Sequence, residues 1–163
     1  MHPNLGVVRV GQERSFVIAD IPGLIEGAAE GTGLGIQFLK HLERTRLLLH
    51  IIDIGQWDSD RIADEARQII REVEKFGGDL AARERWLVLN KKDLLSDEAF
   101  AERSAELVTA LQWRGPVYGI SAATGDGLRQ LTADLMARLE SIWHEEAAER
   151  EEPSDDEAWD PLL

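Results

Sequence analysis

The chain has 163 residues, 44% hydrophobic and 30% charged, a balance and length that suit one water-soluble globular domain. It contains no cysteine, which excludes disulfides, thiolate metal sites and a cysteine nucleophile. The net charge of −13 gives no signal for direct DNA binding, but it is unevenly spread: Glu145 to Leu163 holds nine acidic residues against Arg150 alone, a net of −8, which leaves −5 for Met1 to His144. No apolar run reaches the roughly 18 residues that a membrane span needs, and MHPNLGVVRVGQERSF lacks the pattern of a secretory leader. The expectation is a cytoplasmic protein without a membrane span.

Two short apolar runs, Leu5 to Val10 and Ser15 to Asp20, flank the four residues Gly11 to Arg14, a hairpin pattern. Gly23 to Gly35 carries five glycines in thirteen residues, which predicts a mobile loop. Ile36, Leu39 and Leu42 follow at helical spacing, and Leu47 to Asp53, LLLHIID, reads as a strand covered on both faces. Ile62, Ala66, Ile69, Val73 and Phe76 mark a helix that Gly77 and Gly78 can end. Trp86 to Leu89 is a buried strand. Asp97 can cap a helix bearing Phe100, Leu107 and Leu111, Val117 to Ile120 is a further strand, and a last helix from about Gly127 aligns Leu128, Leu131, Leu135, Leu139 and Ile142. The segment 145–163 has few core-forming residues and two prolines and is expected to stay unfolded, as a solubilising tail or a docking segment for a basic partner.

Alternating strands and helices predict a doubly wound, largely parallel sheet, whose ligands sit beyond the carboxyl ends of the strands. Three strands end there in polar clusters: Asp20, Ile21, Pro22, Gly23; then Asn90, Lys91, Lys92, Asp93; then Ser121, Ala122, Ala123. Asp20 can serve Mg²⁺ directly or through water, and Gly23 lets a backbone N–H reach a phosphate oxygen. Taken alone, DxxG is an ordinary turn. Asp93 can accept two parallel hydrogen bonds from N1–H and the exocyclic amino group of guanine, which adenine cannot offer. Asn90 can bond the purine N7 edge or brace the adjoining loop, and the stem of Lys91 can lie along the ring. Backbone N–H groups at Ser121 and Ala122 can meet guanine O6, although SAATGDG also reads as a plain helix start. The four histidines show no ligand spacing, and the dispersed tryptophans form no stacking platform.

With HPNLGVV at 2–8, DIPGLIEGAAEGTGLGIQFLKHLERTRLLLHIID at 20–53, WLVLNKKDLL at 86–95 and SAATGDGL at 121–128, the chain resembles the guanine-nucleotide domain of the Obg family of bacterial GTPases over about residues 1–144. The resemblance implies a doubly wound P-loop-NTPase-like G domain that binds GTP or GDP with Mg²⁺. Asp20 would hold the metal and Gly23 the γ-phosphate, with Ile21, Pro22 and Ala123 lining the site. Asn90, Lys91 and Asp93 would read guanine, and Ser121 and Ala122 would close on O6. A role in assembling the large ribosomal subunit is implied for the parent family.

Two features temper that picture, the first of them shared by the family that the chain resembles. Leu24 stands where many GTPases place a water-orienting glutamine, and leucine cannot orient water, so no catalytic residue is identified. The 163 residues contain no GxxxxGK[ST] phosphate loop, and the family's paired threonines and glycine-rich N-terminal domain are also missing. The expected domain is therefore incomplete, without the first strand, P-loop and first helix. In the resembling fold that strand lies between the strands ending at Asp20 and Asp53. Each unpaired buried backbone group there costs about 1 to 3 kcal/mol against a total margin of about 5 to 15 kcal/mol, so a complementing segment is expected to be needed. One alternative is a non-catalytic, switch-like module that docks on a ribosomal or protein partner. A phosphoacceptor receiver domain leaves NKKD unexplained.

Overall fold

The computed structural model describes residues 5–20, 45–76 and 78–151. The glycine-rich loop, the helix expected after it, Ile21 to Leu24 and the chain beyond Glu151 lie outside them.

Strands β1 (Leu5–Arg9) and β2 (Ser15–Ala19) form the expected antiparallel hairpin, with Val7 opposite Val17 and a Val10 N–H to Arg14 O bond of 2.8 Å closing the turn. A second sheet is parallel, in the order β3 (Leu47–Asp53), β4 (Glu84–Asn90), β5 (Val117–Gly119). Helix α1 (Ser59–Phe76) and the single turn α2 (Gly78–Ala81) connect β3 to β4. Helix α3 (Asp97–Leu111) connects β4 to β5, and α4 (Leu128–Glu151) follows.

The periodic apolar residues explain the layers. Ile62, Ala63 and Ala66 of α1 and Leu107 of α3 bury against Ile52, Leu87 and Leu89 on one face of the sheet. Leu131, Leu135 and Met136 of α4 bury against Trp86 and Val88 on the other, together with Phe16 of the hairpin. Helices on both faces make the sheet doubly wound, as the alternation of elements predicts. β4 runs through the middle, and Leu87, Val88 and Leu89 are fully enclosed. Stacked on Trp86 with ring centroids 5.3 Å apart, Tyr118 donates its hydroxyl to Asp134 at 2.6 Å. Burial first, then that carboxylate, pushes its pKa up to about 12.

Several expectations change. β3 is not covered evenly on both faces: Leu48, His50 and Ile52 are buried, while Ile51 on the opposite face is 54% exposed. One expectation does not change: the shared neighbour of β2 and β3 is missing among the described residues, where the two belong to separate sheets and no strand pairs with the outer edge of β3. Ser96, not Asp97, caps α3, its Oγ accepting from Ala99 N–H at 3.2 Å. The last helix does not stop at His144 but continues through the first seven residues of the acidic segment. Extending an existing helix through EEAAERE costs little, because nucleation is already complete and Ala, Glu and Arg are good helix formers. Glu146 also pairs with Arg46 at 2.6 Å.

His50 is a packing residue, as expected of a histidine without ligand spacing. It is 4% exposed, meets Trp113 edge-on at 5.8 Å, and its Nε2 has no hydrogen-bond partner among the described residues. Burial, and secondarily the charge of Arg85, lowers its pKa to about 4.

Candidate nucleotide site

The parallel register brings the ends of the three sheet strands together. Asp53 is the partner of Asn90, and Leu89 is the partner of Gly119. The chain therefore leaves β4 between the turn after β3 and the loop after β5. Asn90 ties all three: its carbonyl accepts from Ile54 N–H at 3.0 Å, and its side-chain Oδ1 accepts from Ala122 N–H at 3.0 Å. Loop bracing, one of the two roles open to Asn90, is thus visible in the geometry. The amide nitrogen meets no acceptor among the described residues, which leaves a donor for a purine N7.

Lys91 adopts the left-handed conformation, φ 69° and ψ 31°, uncommon for a side chain with a Cβ. This reversal turns the chain off the sheet into a 3₁₀ turn over Lys92–Leu94. Lys92 anchors that turn: its N–H donates to Ile120 O at 3.1 Å, and its ammonium lies 3.6 Å from Asp126 and 5.3 Å from the centre of the Phe100 ring. Asp93 is exposed on the turn, and among the described residues its carboxylate meets no donor.

The loop after β5 is built from its own polar groups. Fully buried Ser121 accepts on Oγ from Thr124 N–H at 3.1 Å and on its carbonyl from Gly125 N–H at 2.8 Å, and donates its N–H to Asp126 O at 2.9 Å. Gly127, at φ 76°, lies so close to the carbonyl of Gly119 that a Cβ would collide with backbone. Only glycine lets the loop close onto β5 there. The N–H groups of Ser121 and Ala122, both candidates for O6, are therefore engaged within the protein. The N–H of Ala123 meets no acceptor among the described residues and is the donor that this loop leaves open.

The second cluster is only partly described. Asp20 follows β2 and is exposed, while Ile21, Pro22, Gly23 and Leu24 lie outside the described residues. Asp20 belongs to the hairpin, in a different sheet from Asn90, Lys91 and Asp93. No group of three or more acidic or histidine residues among the described residues could hold a metal by itself. A single carboxylate does suit Mg²⁺ when phosphate oxygens and water complete its shell.

Asp53, at the end of β3, lies outside the three polar clusters that strand-end reasoning singled out for the nucleotide. One of its carboxylate oxygens accepts from Gly55 N–H at 2.9 Å, and the other is 2.9 Å from Lys91 Nζ. The available signal was parity: LLLHIID and WLVLN each end on a polar residue, and parallel neighbours align such ends.

A parallel sheet with helices on both faces, carrying NKKD after its central strand and a small-residue loop after the next, defines the chain as a GTP-binding G domain of the P-loop GTPase class. The family model of 50S ribosome-binding GTPases matches residues 1–91, more than half of the sequence, and the chain belongs to that family. Among solved structures, a nucleolar GTP-binding protein 1 from Plasmodium falciparum is 19% identical. That match covers 88% of this chain and 77% of the other, with a TM-score of 0.48. No helix among the described residues is long and apolar enough to cross a membrane.

Proposed function

We propose that this chain is the guanine-reading portion of an Obg-type GTPase acting in the cytoplasm, with the large ribosomal subunit, and its assembly, as the context of its action. The observation that carries the reading is the bond from Ala122 N–H to Asn90 Oδ1, which locks two sequence-distant loops together beside the exposed Asp93. In this arrangement Asp93 takes N1–H and the amino group of guanine, the amide nitrogen of Asn90 takes N7, and Ala123 N–H takes O6. The stem of Lys91 lies along the ring, while Ser121 holds the loop from within. At the other end, Asp20 supplies the carboxylate for Mg²⁺, and Ile21, Pro22 and Gly23 line the γ-phosphate side. Mg²⁺, when bound, offsets phosphate charge. Leu24 provides no group to orient a water and the 163 residues hold no GxxxxGK[ST] loop, so weak or no GTP hydrolysis is expected of this chain by itself.

Calorimetric titration of the full chain with GDP and ADP tests this. Binding of GDP but not ADP is expected, and Asp93→Ala should weaken GDP by about 100-fold, the loss of two charge-assisted hydrogen bonds. Equal affinity for both nucleotides, or an Asp93→Ala variant that binds GDP as well as the parent does, would refute the reading.

A further inference from the structure

We infer that Asp53 is a positioning residue of the nucleotide site, holding the ammonium of Lys91 so that the lysine stem stands as one wall for the base. The inference rests on the guanine-binding reading and extends it to a residue on a different strand.

The geometry is specific. Asp53 closes β3 and pairs in register with Asn90, so it stands one residue short of Lys91 on the neighbouring strand. Its carboxylate is itself fixed, because Gly55 N–H donates to Oδ1 at 2.9 Å, leaving Oδ2 to face Lys91 Nζ at 2.9 Å. Gln56 donates to the Asp53 carbonyl at 3.3 Å, and Ile54 N–H donates to Asn90 O at 3.0 Å, so the backbone around this carboxylate is tied on both sides. Gly55 leaves little slack: a Cβ there would come within 2.9 Å of Leu94 Cδ1 and 3.3 Å of Asp53 Oδ1.

Lys91 needs such an anchor. A free lysine side chain samples many rotamers, and ordering it on ligand binding carries an entropy cost that comes out of the affinity. Tethering Nζ to a fixed carboxylate restricts the four-carbon stem before the ligand arrives. The lysine side chain remains about half exposed, accessible to a flat aromatic ring. Asp53 touches no nucleotide in this arrangement and acts only through Lys91.

The test measures GDP and IDP affinity of the full chain, its Asp53→Asn and Lys91→Met variants, and the double variant. The introduced asparagine retains an oxygen for Gly55 N–H, and the introduced methionine retains an apolar stem, so each change breaks the ion pair from one end. Asp53→Asn should weaken GDP by about fivefold, with the double variant no weaker than Lys91→Met alone. The ratio of GDP to IDP affinity should stay constant in Asp53→Asn, because the wall contacts the face of the ring. The same ratio should fall in Asp93→Asn, because IDP lacks the amino group that Asp93 reads. Unchanged GDP affinity in Asp53→Asn, additive losses in the double variant, or a shifted GDP to IDP ratio in Asp53→Asn would each overturn the inference. A parent chain that binds no GDP would instead bring down the guanine reading beneath it. Amide spectra of each variant, superimposable on the parent away from residues 53–57 and 90–95, confirm that a change in affinity is not a change of fold.

Discussion

β4 ends in Asn90 and β2 is followed by Asp20, both residues proposed for the nucleotide site, yet the two strands hold them very differently. β4 has a strand on each side and helices on both faces, and Asn90 at its end is bonded through main chain and side chain to the loops beside it. Among the described residues β2 pairs only with β1; it presses Phe16 onto α4 and turns Val17 to solvent at 65% exposure. Val8 and Val10 pack beside Phe16 on the same cluster, and Arg14 forms an ion pair with Glu140 of α4. The end proposed to read the base is therefore set by a doubly covered sheet, whereas Asp20, proposed for the metal, follows a hairpin that among the described residues is covered on one face. Rigid recognition and adaptable phosphate contact call for such different supports.

The sharpest way to break this comparison is to cut packing in each region. Leu87→Ala in β4 should cost about 2 to 5 kcal/mol in urea unfolding and raise amide exchange across the whole sheet. Phe16→Ala removes a similar amount of buried surface, but its effect should concentrate in β1 and β2, with β4 amides still protected. Equal acceleration in β4 would show that the hairpin and sheet unfold as one unit.

A smaller effect distinguishes the sheet by pH. With the pKa of His50 lowered to about 4 in the folded state, the unfolded chain binds the extra proton between that value and about 6.5. Stability from the neutral histidine is complete above pH 6.5 and is lost as the pH falls toward 4, by about 3 kcal/mol in all. The difference in unfolding free energy between the parent and His50→Leu, followed from pH 7 to pH 4, should track that window. A constant difference would mean that His50 is not held neutral. The smallest effect belongs to the outer hairpin face: Val17→Ser should change stability by no more than about 0.5 kcal/mol, and a larger loss in urea unfolding would reveal a cover over that face.

Much of the fold was legible because burial leaves periodic marks. LLLHIID became β3 with the bounds that its apolar run suggested, and the helical spacing of Ile62, Ala66 and Val73 marked the buried side of α1. Local reading failed where neighbours compete for one role. Ser96 took the cap from Asp97, and the acidic stretch after His144, poor in core residues, stayed helical to Glu151 because a helix was already running. The candidate site divides in the same way. Asn90, Lys91 and Asp93 could be picked out from residue type and position after a strand. That Ala122 spends its N–H on Asn90, leaving Ala123 as the open donor, could not.

From the order of residues alone came the alternating elements, the strand ends that carry polar groups, and the chemistry by which a carboxylate at position 93 would tell guanine from adenine. Tertiary structure decided which of those groups remain available, and it alone joined Asp53 to Lys91. The reason is physical: a hydrogen bond or ion pair between residues 30 to 40 positions apart depends on strand register and on competition among nearby donors, and neither leaves a periodic trace in sequence.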